Sequence, residues 1–188
     1  YKKFNSNHIN RTGITVTGLQ YDLDYKISPN FGLDVPMEQI SKGNGGSCVL
    51  SAYSSSVINL SNHLTTSLGI TAQYFTLNKN WTVEPRAALK WSFNPKHALA
   101  LAYGLHSRRE KLDYYFVEQE ANGKTESNRY LDFSKAHHFG LTYDWNINSY
   151  MHLKVEPYYQ YLFRIPVEEN SSFSIINHQS FYLDRILK

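Results

Sequence analysis

Paired carboxylates and adjacent histidines are the side chains in this sequence that could do chemistry. Asp22 and Asp24 have the spacing of neighbours on one face of a strand, and two such carboxylates could serve hydrolysis. His137 and His138 are adjacent, so a strand would point them to opposite faces and they could not chelate one ion together. The sequence contains no nucleophile elbow, H-E-x-x-H motif, P-loop or dinucleotide fingerprint. We therefore predict no catalytic residue, no metal site and no cofactor, and we expect that the chain is not an enzyme.

The connection predicted between residues 108 and 135 is a second candidate, because it combines charge with aromatic rings. Ligand-binding residues are concentrated on long loops of this kind. A solvated loop without a ligand could have the same composition, so both interpretations remain open. The candidate ligand contacts are Arg108, Arg109, Tyr114, Tyr115 and Phe116.

Strands must position these side chains, because apolar and polar residues alternate along most of the sequence and helical periodicity is almost absent. In 81–93 every odd position is apolar and the even positions carry all of the charges. In 97–107 the odd positions include Leu99 and Leu101, whereas alanine and glycine fill the even positions up to 104. The predicted strands are 11–27, 48–60, 64–77, 81–93, 97–107, 136–147 and 151–165.

Strand length and turn length favour an antiparallel transmembrane β-barrel. Strands of about 11 to 17 residues exceed the roughly 5–6 of globular sheets and reach the about 9–11 that a tilted strand needs to cross a membrane. Short turns at 61–63, 94–96 and 148–150 contrast with long connections at 28–47 and 108–135, which is the plan of outer-membrane barrels, although the connection at 77–80 is short where a long loop would be expected. No stretch approaches the about 18 apolar residues of a membrane helix.

Tryptophans near strand ends agree with this fold. Trp81 and Trp91 share a face and would be roughly 23 Å apart along the membrane normal, close to the about 25 Å height of the apolar band. Trp81, Trp91 and Trp145 are therefore predicted to lie at the membrane interfaces. Pro85 and Pro157 each follow glutamate in mid-strand, where we expect a bulge or a local break because proline cannot donate to the ladder.

In such a barrel the polar face of each strand lines the lumen, where mixed charges pair across neighbouring strands. The same charges could also contact a plug or a solute. The predicted lumen-facing residues are Asp22, Asp24, Lys26, Glu84, Arg86, Lys90, Asp144, Lys154 and Glu156.

Short motifs within these segments resemble one family. Trp81-Thr-Val-Glu-Pro-Arg86, followed by Ala88-Leu-Lys-Trp91, Asn94-Pro-Lys-His97 and a strand ending in Tyr103-Gly-Leu-His-Ser107, resembles a stretch in the barrels of TonB-dependent outer-membrane receptors of the Bacteroidetes type, which carry a carboxypeptidase-regulatory-like domain. Leu153-Lys-Val-Glu-Pro-Tyr-Tyr-Gln-Tyr161 with Ile165-Pro-Val167 resembles a later strand, and Asn5-Ser-Asn-His-Ile-Asn-Arg-Thr-Gly13 also fits the family.

This resemblance implies a barrel of about 22 strands, closed by a plug domain, in the bacterial outer membrane. Such a receptor takes up a scarce solute with energy relayed by the TonB system through the plug. The expected partners are outer-membrane lipid, the TonB system through a plug absent from this chain, and an unknown small solute. With a net charge of +3 and no basic run, no nucleic acid is expected.

Residues 1–188 are expected to form part of one barrel domain, because the sequence supplies only about seven or eight strands and no plug or signal peptide. We expect an internal piece that does not transport alone, and an open sheet when it is considered in isolation. Two alternatives remain. One is a complete small eight-stranded barrel with a structural or adhesive role, in which 171–185 supplies the last strand, and the other is a soluble β-sandwich that binds sugars with its aromatic residues.

Overall fold

A computed structural model describes residues 1–28, 36–121, 124–168, 174–176 and 186–188. These residues form an all-β protein with two short 3-10 helices, Leu112–Phe116 and Asn128–Tyr130, and none of their helices is long and apolar enough to span a membrane. The antiparallel, all-β fold predicted from the sequence is confirmed. The strands are β1 (Lys2–Asn5), β2 (His8–Ile27), β3 (Glu38–Ser61), β4 (Leu64–Phe75), β5 (Asn80–Asn94), β6 (His97–Arg108), β7 (Glu118–Ala121), β8 (Lys124–Ser127), β9 (Ser134–Asn146), β10 (His152–Val155) and β11 (Tyr158–Phe163).

One large sheet has the strand order β1-β2-β3-β4-β5-β6-β9-β10, and β11 also pairs with β9. Strands β7 and β8 form a separate hairpin. Most neighbours in the large sheet follow one another in sequence, which is the meander that short turns and period-2 alternation predict. Among the described residues, the outer edge of β2 pairs only with β1, so the sheet is open and its closure into a small barrel is not found there.

The described residues test the two alternative folds to different extents. The last strand of a small eight-stranded barrel was predicted at 171–185, most of which lies outside the described residues. A sandwich needs a second extended sheet packed on the first. The one other sheet among the described residues is the β7–β8 hairpin of two four-residue strands.

The predicted loop 28–47 is wrong in its second half, because β3 begins at Glu38. The first residues of β3 are rich in glycine, serine and asparagine, which have low strand propensity. Continuous pairing with β2 from His8↔Ile58 to Tyr25↔Ser41 nevertheless holds them in the sheet. Residues 29–35 lie outside the described residues.

The short turns predicted at 61–63, 94–96 and 148–150 lie at the opposite end of the sheet from the long connections, as predicted, although the short turn 76–79 between β4 and β5 lies with the long connections. The amide of Ser92 donates to the His63 carbonyl and that of Asn146 to the Lys96 carbonyl, each at 2.8 Å, which places all three short turns at one end. We call this the short-turn end. Strands β6 and β9 are paired from His97↔Trp145 to Arg108↔Ser134, so the connection between them lies at the opposite, long-loop end.

Both mid-strand prolines interrupt the sheet, as predicted. Because Ser92 donates toward β4 and alternate residues point to opposite neighbours, Pro85 points its ring nitrogen toward β6. Pairing between β5 and β6 ends one residue later, at Arg86↔Gly104. Pro157 separates β10 from β11, although both pair with β9 in one continuous register.

The sheet has an apolar face and a polar face across β4, β5, β6 and β9, whereas on the short-turn half of β2 and β3 the apolar face also carries the hydrogen-bonded polar side chains Asn10, Thr12, Ser54 and Ser56. Leu68, Ala87, Tyr103 and Phe139 occupy one ladder row of the apolar face. The apolar face is not covered by another layer in the described structure, and Leu101 at its centre remains 55% exposed. Monomeric soluble proteins rarely leave so extensive an apolar surface exposed.

The polarity of β2 reverses at Gly18. Before this residue the apolar face carries Ile14 and Val16, which are 79% and 64% exposed. After it the same face carries Asp22 and Asp24, whereas the opposite face carries Leu19, Tyr21, Leu23 and Tyr25. Since β4 ends at Phe75, opposite Val49, the second half of β2 extends with β3 beyond the rest of the sheet.

The hydrophobic core lies at the long-loop end, on the polar-face side of this extension. Loop residues between β6 and β9 fold over the sheet and bury Phe75 and Tyr115, whose rings meet edge to face at 5.4 Å. Phe116 packs against Tyr21 and lies directly above Gly43, where a side chain would collide with it. The buried cluster contains Val49, Phe75, Tyr115, Leu131, Phe133 and Leu187.

Candidate functional site

The polar face brings together six of the nine charges predicted to line a lumen. Strand register places Glu84, Arg86 and Lys90 on the same face as Asp144. Lys154 pairs with Asp144 in the β9–β10 ladder, and Glu156 accepts a hydrogen bond from the Thr142 hydroxyl on that face. The polar face is therefore the candidate functional surface.

The other three predicted residues, Asp22, Asp24 and Lys26, are not part of this surface, because the strand register sets Asp22 and Asp24 on the opposite face of the sheet. Asp22 pairs with Asn44, which shares its face of β3 with Leu50, and the register continues through Tyr74 to Trp81 on the apolar face. Lys26 forms an ion pair with Asp24 at 3.4 Å. The polarity reversal at Gly18 is the physical reason. Apolar and polar residues go on alternating along β2, but after Gly18 the polar residues occupy the face that carries Ile14 and Val16 before it.

Glu84 is the most enclosed charge of the polar face, with 2% of its surface exposed. Its carboxylate accepts hydrogen bonds from the Gln73 amide at 2.6 Å and from the Ser107 backbone N–H at 3.1 Å. The guanidinium of Arg86 donates to its other oxygen at 2.9 Å. The Ser107 N–H points toward β5 beyond the break at Pro85, so Glu84 satisfies a donor that the broken ladder leaves free.

Arg86 stands in an open groove of the polar face. In its ladder row it is flanked by Gly69 on β4 and Gly104 on β6, so neither neighbouring strand places a side chain beside it. The rings of His106 and His138 lie 4.5 Å apart at the same groove, whose volume is about 560 Å³. Sequence reasoning missed His106 and the pairing of His138 with it, because neither strand alone reveals this contact.

A second group of charges occupies the polar face near the short-turn end. His152 lies 3.2 Å from Asp144, and Lys154 lies 2.7 Å from Glu156. All four side chains are at least partly exposed, so they form a solvated charged surface. His152 was not predicted as a site residue and is identified by its contact with Asp144.

The five predicted loop contacts differ in accessibility. Arg108 is largely exposed and pairs with Glu110 at 3.5 Å, while Arg109 lies over the ring of Phe75 at 5.9 Å. Tyr114 is partly buried, and burial raises its pKa above the ordinary value. Phe116 packs inward on Tyr21.

For Tyr115 the prediction of a ligand contact is wrong. The residue is 1% exposed, its ring belongs to the core, and its hydroxyl accepts a hydrogen bond from the Glu110 amide at 3.1 Å. Aromatic residues in a loop can anchor the loop instead of contacting a ligand, and composition does not distinguish the two roles.

The predicted interface tryptophans lie on the apolar face, toward its two ends. Trp145 pairs with His97 near the short-turn end, where Trp91 also lies, and Trp81 pairs with Tyr74 toward the long-loop end. His97 stacks on Trp145 and contacts the Tyr143 hydroxyl at 2.8 Å. On the same two strands, His137 makes the corresponding contact with the Tyr103 hydroxyl at 2.9 Å.

The polar face can hold and neutralise charged groups by hydrogen bonding and ion pairing. Within the described ranges, no group of three or more histidine, cysteine, aspartate or glutamate side chains could hold a metal ion. Comparisons with family models, with curated proteins and with solved structures find no match to this chain.

Proposed function

We propose that this chain is a section of the wall of a transmembrane β-barrel in a bacterial outer membrane. In this proposal the central apolar face meets lipid, and the polar face lines the lumen. The observation that carries it is the polarity reversal of β2 at Gly18. Membrane strands carry apolar side chains outward and polar ones inward, whereas strands in water bury apolar side chains inside. The reversal thus supports a membrane boundary near Gly18, with the β2–β3 extension in water.

A second feature supports tilted strands. Barrel strands tilt by about 45°, so one step to the next strand changes the height by about 3.4 Å and one residue by about 2.3 Å. A band of apolar residues at one height in the membrane should therefore move by about seven residues along the strands between β9 and β2, because β2 is the fifth strand away from β9 in the sheet. When the paired residues are followed across the sheet from Phe139 on β9, the residue reached on β2 is the polar Asn10. The apolar residues Ile14 and Val16 lie four and six residues further along β2.

The open sheet supports a larger barrel. Within a membrane every backbone donor and acceptor must be satisfied internally, so the free edges of the sheet, at β1–β2 and at β10–β11, need further strands. We propose that those strands and a plug domain belong to a TonB-dependent receptor, as the Glu84-Pro85-Arg86 motif and its surroundings suggest. The intact receptor would import a scarce solute, and the residues described here would line its path or contact the plug.

Labelling of intact cells tests the location and orientation. In a Cys48→Ser background, Asp24→Cys on the extension should react with a membrane-impermeant maleimide added outside the cells. Lys96→Cys, in the β5–β6 turn, should react only after the cells are lysed. Reaction of both variants in intact cells, or of neither, would contradict the proposed topology. A plug-coding region upstream in the same reading frame is expected, and its absence would contradict the receptor assignment.

A further inference from the structure

Arg86, His106 and His138 point to a binding site that the transport proposal does not require. We infer that their groove binds an anionic group, a carboxylate or phosphate, of a molecule lying along the polar face. This inference deepens the proposed function, because it names the ligand chemistry recognised at one place in the lumen.

The guanidinium of Arg86 has N–H donors that are available to a ligand. The Arg86 side chain is 49% exposed, and among the described residues it forms an ion pair with Glu84. A guanidinium carries five N–H donors in a planar fork that suits carboxylate and phosphate groups. The Glu84 carboxylate is turned into the sheet, where Gln73 and Ser107 also bind it, so its charge does not occupy the open side of the groove.

Glycines give the groove its shape. A Cβ at Gly104 would lie 2.8 Å from Nε2 of His106 and 3.6 Å from Cγ of Arg86. The absence of a side chain at 104 therefore lets the His106 ring fold back beside Arg86 and reach His138. On the other side of Arg86, Gly69 leaves the guanidinium open to an approaching ligand.

The two imidazoles add donors to the same space. His138 is held by a contact of 3.0 Å between its Nε2 and the Gln160 side-chain nitrogen. Each neutral imidazole carries one N–H donor and each protonated one carries two. The groove thus combines one permanent cation with two rings that can donate to an oxyanion, while Ala88, Ala102 and Gly140 keep its floor low.

Titration of the full chain in detergent micelles with inorganic phosphate and with malonate tests the inference, using the side-chain nitrogen NMR signals of histidine as the readout. We expect saturable shifts of His106 and His138. Arg86→Gln should weaken binding at least tenfold, Gly104→Ala should weaken it by displacing His106, and Arg86→Lys should retain part of the affinity. A preference for malonate over phosphate would identify a carboxylate ligand, and the reverse preference a phosphate ligand.

Lys90→Gln is the matched control, because Lys90 is a cation on the same face and strand but outside the groove. Equal loss of affinity in Lys90→Gln and Arg86→Gln, or no saturable shift in the unaltered protein, would overturn the inference. The titration measures anion binding in the groove alone, because it does not require the protein to be in a bilayer. A chain that fails to enter lipid but binds the anion would refute the membrane proposal and leave the site intact.

Discussion

Replacing Glu84 by alanine should destabilise the sheet far more than replacing the glutamate before the other proline. Glu84→Ala removes the acceptor of the Ser107 N–H and of the Gln73 amide, both of which lie at the enclosed break beside Pro85. An orphaned donor and a lost hydrogen bond cost about 1–2 kcal/mol each. Arg86 is half exposed and can turn to water, so we expect a total loss of about 2–4 kcal/mol.

Urea unfolding of the full chain in detergent micelles, followed by tryptophan fluorescence, measures this loss. Glu84→Gln keeps one acceptor oxygen and should lose about half as much. The control is Glu156→Ala, which removes an exposed carboxylate whose partners Lys154 and Thr142 also lie in water, so its unfolding midpoint should hardly change. Equal midpoints for Glu84→Ala and Glu156→Ala would refute the role assigned to Glu84.

Two further predictions concern the long-loop end. A Cβ at Gly43 would lie 2.5 Å from Cδ1 of Phe116, so Gly43→Ala should lower the free energy of unfolding by about 1–3 kcal/mol, whereas Gly18→Ala, with no atom within 4 Å of its Cβ, should change it by less than about 0.5 kcal/mol. Similar urea midpoints for the two variants would contradict this packing. Burial raises the pKa of Tyr115. The stabilisation of the folded state by the buried neutral phenol should therefore be present below about pH 10 and be lost as the pH rises through the raised pKa. The loss of stability above that pH should be smaller in Tyr115→Phe, and an identical pH dependence would argue against a buried phenol.

Local alternation predicted most strands because it is a property of neighbouring residues. The segment 81–93 appears as β5 and 97–107 as β6, each within one residue of the predicted bounds. The breaks at Pro85 and Pro157 could also be predicted, since the missing donor is a property of proline itself. The strand at Glu38–Cys48 could not, because its polar, glycine-rich residues follow the register of β2 instead of their own propensity.

The candidate site was predicted less completely, because face and depth depend on register across several strands. Asp22 and Glu84 each lie on the polar side of their own segment, yet the ladder places them on opposite faces of the sheet. His106 and His138 are brought together only by the β6–β9 register, in which Gly104 pairs with His138. Tyr115 is buried by the fold of its loop, which alternation does not describe.

Lipid quenching of a fluorophore tests the central proposal most directly. In a Cys48→Ser background, single cysteines at Leu101, Ala100 and Asp22 would each carry the fluorophore in protein reconstituted into vesicles with quencher-bearing acyl chains. Leu101 lies on the apolar face, Ala100 on the polar face, and Asp22 on the apolar face but beyond the reversal at Gly18. We predict strong quenching at 101 and weak quenching at 100 and 22. Equal quenching at 101 and 100, or quenching at 22 as strong as at 101, would contradict the membrane-wall account.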